Sequence, residues 1–154
     1  MYFVFVVLTM FALPVAAIVI EHSLLHSVAP VMSLVGKWFV FWAAGVRLAI
    51  AGLRQYFEPR FTAEKIFGIK GDEPLPLVRE LGIANFATGT VGILSIMRPD
   101  FALPVAIAAA IFSGVAGLRH AAQRTRNAKE NFAMASDLFA FVVLAAYSVF
   151  ALSQ

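Results

Sequence analysis

The chain has 154 residues, of which 61% are hydrophobic and only 14% are charged, and its formal net charge is +3. A soluble domain carries roughly 25% charged residues, so this composition excludes a surface that faces water throughout. The basic residues flank apolar segments and form no stripe with interleaved aromatics, a pattern that excludes a nucleic-acid partner and indicates anchoring beside membrane lipid. The chain has no cysteine, which excludes disulfides and thiolate chemistry.

Five apolar stretches approach the roughly 20 residues that a helix needs to cross a membrane. In chain order they cover residues 2–20, the segment between Lys37 and Arg54, and residues 81–97, 101–118 and 132–152. We expect the first to be an uncleaved span instead of a secretory signal, because no Lys or Arg precedes it. The sequence therefore predicts an all-α integral membrane helical bundle of about five transmembrane helices, with residues 1–154 forming one domain.

Orientation follows from the basic residues, which collect in loops on the cytoplasmic side of a membrane. Two loops hold nine of them: Arg54, Arg60, Lys65, Lys70 and Arg79 in one, and Arg119, Arg124, Arg126 and Lys129 in the other. Five crossings then predict a cytoplasmic N-terminus and a C-terminus on the outer face.

The longer of these two loops, residues 55–78, mixes apolar and charged residues in a pattern that predicts a short interfacial cytoplasmic helix starting near Thr62. Small residues recur at helical spacing in the third and fourth predicted spans: Ala84, Thr88 and Gly92, and Ala106, Ala110 and Gly114. Such rows let membrane helices approach closely. We expect them to pack the third span against the fourth as a hairpin; the alternative is an oligomer contact.

Two ionisable residues interrupt the predicted spans, where a charge is costly without a partner. Arg47 lies about two helical turns from Arg54, and Asp137 lies about two turns from Glu130. Each is therefore roughly 10 Å from the cytoplasmic end of its helix, so the two lie at matching depths. We predict that Arg47 and Asp137 pair; the alternative is that each reaches water or backbone carbonyls separately.

Further polar residues fall near this depth or closer to the cytoplasm, among them His120 and Glu130. We predict an inner-half pocket that holds a polar head group or a side chain of a partner, bounded by Arg47, Glu80, Asn85, Asn131 and Asp137. The alternative is that these groups satisfy one another without a ligand. Glu80 and Glu130 could also simply complement helix dipoles. No catalytic residue and no cofactor emerges from the sequence.

A histidine pair, His22 and His26, stands four residues apart, which on a helix is the minimal spacing for two metal ligands. No third ligand accompanies the pair. We therefore expect solvent-facing histidines just outside the membrane and no metal site.

Four segments carry a family resemblance: residues 38–47 (WFVFWAAGVR), 55–68 (QYFEPRFTAEKIFG), 79–89 (RELGIANFATG) and 127–139 (NAKENFAMASDLF). They resemble a family of small prokaryotic multi-span membrane proteins of unknown function, over residues 36–144. The resemblance implies the prokaryotic plasma (inner) membrane and supplies no reaction or ligand. A more distant likeness to DoxX-like four-helix membrane proteins rests on helix lengths and an early glycine-rich span, and is an analogy.

We therefore expect a non-enzymatic accessory or ligand-holding bundle, in contact with membrane lipid and packing against other membrane subunits or a second copy. The alternative is a membrane-embedded enzyme that acts on a lipidic or quinone-like substrate through the inner-half polar cluster.

Overall fold

The computed structural model describes residues 2–154, which contain helices and no strand. Five long helices are joined by short connections, and a short helix interrupts the longest one. They are α1 (Tyr2–Leu24), α2 (Val31–Phe57), the short α3 (Phe61–Ile66), α4 (Leu75–Leu94), α5 (Ala102–Ala122) and α6 (Ala128–Leu152). The all-α bundle predicted from the sequence is confirmed.

Four of the five long helices are long and apolar enough to cross a membrane: α1, α2, α5 with its preceding 3₁₀ turn, and α6. The exception is α4, the third predicted span. It begins at Leu75 instead of residue 81, because Pro74 and Pro76 stand at its first turn, where proline is tolerated. The helix therefore includes Arg79 and Glu80, which lower its hydropathy. The prediction of five spans holds for four helices by this criterion, and α4 falls short of it.

Glycines bring α2 and α4 together so closely that their backbones touch. A Cβ atom added to Gly52 would lie 2.5 Å from the carbonyl oxygen of Gly82, and one added to Gly45 would lie 2.9 Å from the backbone of Gly92. Gly89 meets the backbone of Ala49 in the same way. Small residues permit such close packing in membranes. The two helices run antiparallel, since the end of α2 meets the start of α4.

The predicted packing of the third span against the fourth is wrong. The turn at Arg98-Pro99-Asp100 does connect α4 to α5, but the two helices choose different neighbours. The small face of α4 packs on α2, whereas α5 packs mainly on α6. There Gly114 faces the ring of Phe141 and Gly117 faces Leu138.

The centre of the bundle is α2, which contacts α1, α4, α5 and α6. Its buried residues Val40, Ala43 and Ala44 join a core that also includes Met10 of α1 and Leu144 of α6. Every other long helix therefore packs against α2, the second helix in the chain.

The two ends of the bundle differ in charge. The end at which α1 begins holds the nine basic residues that set the predicted orientation, and we call it the basic end. At the opposite end, Glu21 accepts hydrogen bonds from Lys37 Nζ at 2.8 Å and from Trp38 Nε1 at 2.7 Å. These bonds fasten the end of α1 to the beginning of α2.

Candidate functional site

The predicted pairing of Arg47 with Asp137 is confirmed. Nη2 of Arg47 donates a hydrogen bond to Oδ1 of Asp137 at 2.9 Å, joining α2 to α6. The two side chains are only 14% and 11% exposed, so little water screens the pair. In such surroundings each charge depends on the other, because an unpaired buried charge is strongly destabilising.

Local helix geometry positions both partners. A π-helical segment, Val40–Val46, widens α2 immediately before Arg47, and such segments are frequent at functional sites. Asp137 belongs to the buried face of α6, next to Ser136 and between Ala133 and Ala140. The face of α6 is set by the three- and four-residue spacing of these small side chains, which leave room for the arginine.

Asn85 is buried on α4 and donates its side-chain amide to Oε1 of Gln55, at 2.8 Å. This bond links α4 to the last turns of α2, beside the contact between Gly52 and Gly82. Gln55 is not predicted as a site residue from the sequence, because it lies next to Arg54 at the edge of a charged loop. The signal that could have identified Gln55 is its side-chain amide near the end of α2, which can bond to a buried asparagine such as Asn85.

The remaining two residues of the predicted pocket lie at the surface. Glu80 is exposed on α4, and Asn131 is exposed on α6, where its Oδ1 accepts a hydrogen bond from Nε of Arg126 at 2.8 Å. The structure thus brings together two of the five predicted residues, Arg47 and Asp137. The other three have separate surroundings, so one shared hydrogen-bonded pocket is not formed, and a ligand role for any of the five stays a prediction.

A second buried pair lies at the basic end, where α5 meets α6. Nδ1 of His120 is 3.4 Å from Oε1 of Glu130, and the two side chains are 9% and 6% exposed. Glu130 is in the first turn of α6, and its backbone N–H bonds to the side chain of Asn127, which caps the helix. Glu130 therefore complements the helix dipole, as its place near a helix N-terminus predicts, and also faces a histidine.

The short helix α3 packs across the basic end of the bundle. Two cations approach the ring of its Phe61, with the guanidinium of Arg54 at 3.6 Å and Nζ of Lys129 at 5.2 Å from the ring centroid. Thr62 and Ala63 are buried, and Phe61 also approaches the ring of Tyr2. The predicted helix near Thr62 exists and contacts α4 and α6, while Phe61 also reaches α1 and α2.

The histidine pair does not share a helical face. His22 lies in the last turn of α1, but that helix ends at Leu24 and His26 has a left-handed backbone with φ of 51°. Both side chains are exposed. The spacing of four residues therefore does not bring His22 and His26 to one face of a helix. Among residues 2–154, no three histidine or acidic side chains cluster in a way that could hold a metal ion.

The model of a protein family described as a family of unknown function, DUF6790, matches residues 3–153. This match bears out the resemblance to a family of unknown function and extends it over nearly the whole chain. The DoxX-like analogy and the prokaryotic origin stay expectations. No curated protein and no solved structure matches the chain.

Proposed function

We propose that this chain, which belongs to the DUF6790 family of unknown function, is a non-enzymatic component of a membrane assembly. In this proposal the contact between subunits is made by the outer face of α4. The partner is a second copy of the same chain, packed through the same face.

The observation that carries the proposal is the one-sided packing of α4. Its glycine face is occupied by α2, while Ala84, Ala87 and Val91 line an exposed face at three- and four-residue spacing. Small residues at this spacing are the usual contact surface between membrane helices.

The rival role, an enzyme acting on a lipidic or quinone-like substrate, loses its main support. That role needs the inner-half polar residues gathered around one substrate. Arg47 instead pairs with Asp137, Asn85 bonds to Gln55, and Glu80 is exposed. These internal polar groups hold helices together, which is the task of a structural bundle.

We further propose that the basic end faces the cytoplasm of a prokaryotic cell, with the protein in its plasma membrane. Nine basic residues stand at that end, against Lys37 and Arg98 at the other. This asymmetry supports a cytoplasmic N-terminus, because the orientation of membrane proteins follows Lys and Arg in short loops.

Photobleaching of singly labelled protein in liposomes tests the assembly. We expect two-step bleaching that declines as the protein is diluted in lipid, and a loss of two-step events in Ala84→Phe/Ala87→Phe. The control is Ala108→Phe, on the exposed face of α5. Wild-type protein that bleaches in one step at every density, or equal losses in both variants, would overturn the proposal.

A further inference from the structure

An open cleft lies at the basic end, where α2 ends and α4 begins. Its apolar walls come from Phe57, Phe61 and Leu75, and its charged walls from Glu58, Arg60 and Arg79. A second, adjoining cleft continues along α2 past Leu53. The combined surface is a charged rim that passes into an apolar strip on the outside of the bundle.

The cations of the cleft are not equivalent. Glu58 accepts from Arg54 at 3.3 Å, and Arg60 pairs with both Glu64 and Asp72. Arg79 is exposed and has no ion pair with any residue between 2 and 154. Its position four residues after Leu75 points it to the side of α4 that borders the cleft, away from the face of Ala84 and Ala87.

The apolar strip beside Arg79 is unusually open to its surroundings. Phe57 is 74% exposed, and Leu53, one helical turn before it, is 42% exposed. In a membrane this strip faces the acyl chains next to the head-group layer. An anchored ligand with a charged head and an apolar tail fits a cation above such a strip, whereas a free anion would use only the cation.

We propose that this cleft binds the phosphate of an anionic phospholipid, with Arg79 as the main contact and an acyl chain along Phe57 and Leu53. The planar guanidinium of arginine can donate two parallel hydrogen bonds to one phosphate, which adds geometric specificity to charge attraction. The net positive charge of the basic end, with nine basic and six acidic residues, selects an anionic head group over a neutral one.

Native mass spectrometry of the detergent-solubilised chain, titrated with phosphatidylglycerol, tests the site. We expect wild type to retain this lipid in preference to phosphatidylcholine, and Arg79→Gln to weaken retention about tenfold, the effect of losing one charged hydrogen-bonding group. The matched control is Arg119→Gln, since Arg119 is exposed on α5 at the same end. This control should retain the lipid as wild type does.

Three outcomes would overturn the proposal. Equal losses in Arg79→Gln and Arg119→Gln would show diffuse charge attraction without a site, and equal retention of phosphatidylcholine would show no selection for an anion. Displacement of phosphatidylglycerol by an equal concentration of inorganic phosphate would show a site for the free anion. Melting temperatures of both variants should match wild type, because both arginines are exposed. The test is independent of self-association, which uses another face of α4.

Discussion

Arg47 and Asp137 form an ion pair across 2.9 Å between the second and the last long helix, although 90 residues separate them along the chain. Breaking such a pair from one side costs about 3 to 5 kcal/mol, because the surviving charge is left buried without a partner. The pair is therefore a point at which the bundle can be tested directly.

We expect Asp137→Ala to lower the free energy of unfolding more than the double variant Arg47→Ala/Asp137→Ala does. Removing both charges removes the uncompensated arginine, whereas removing only the aspartate creates it. Unfolding in mixed micelles measures both values. Losses that simply add in this double-mutant cycle would contradict the pairing.

Gly89 supports a second prediction, since a Cβ atom added to it would clash with the backbone nitrogen of Ala49. We expect Gly89→Val to destabilise the protein by about 1 to 3 kcal/mol, because the added atoms force α4 away from α2. Ala108→Val, on the exposed face of α5, is the control and should leave the melting temperature unchanged. Similar melting temperatures for the two variants would refute the close backbone contact.

The bond between Asn85 and Gln55 leads to a third prediction. Asn85→Leu leaves the partly buried Oε1 of Gln55 without its partner, at a cost of about 0.5 to 1.5 kcal/mol. The double variant Asn85→Leu/Gln55→Leu should recover part of this loss, as measured by thermal unfolding. No recovery would mean that the amides act independently.

Orientation can be measured by cysteine labelling, because the chain has no cysteine of its own. Single cysteines at Ser23 and Arg98 should react with an impermeant reagent added outside intact cells, and one at Lys70 should react only after permeabilisation. The opposite pattern would place the basic end outside.

The sequence predicts the helices well because long apolar runs have few alternatives in a membrane. It also predicts the ion pair between Arg47 and Asp137, since equal depth is readable from spacing along each helix. The start of α4 was missed because Arg79 and Glu80 look like loop residues. Helix neighbours were missed as well: glycine and alanine mark a face for close packing, but they do not identify the helix that will occupy it. Gly82 and Gly89 acquire their meaning only beside α2.

The pocket prediction was limited by the same lack of angular information. Depth placed Glu80 and Asn131 near the other polar residues, but rotation around α4 and α6 turns both side chains to the surface. A one-residue error in helix phase rotates a side chain by about 100°, which separates an interior position from an exposed one.

Because 90 residues separate Arg47 from Asp137 along the chain, the two partners are synthesised at different times. The ribosome makes α2 long before α6, so the arginine enters the membrane while its aspartate does not yet exist. Until the last helix is inserted, the growing bundle carries a charge whose cost on insertion scales is about 2.5 to 3.5 kcal/mol. Insertion of α6 supplies Asp137, which pairs with Arg47, so the final helix completes the bundle electrostatically.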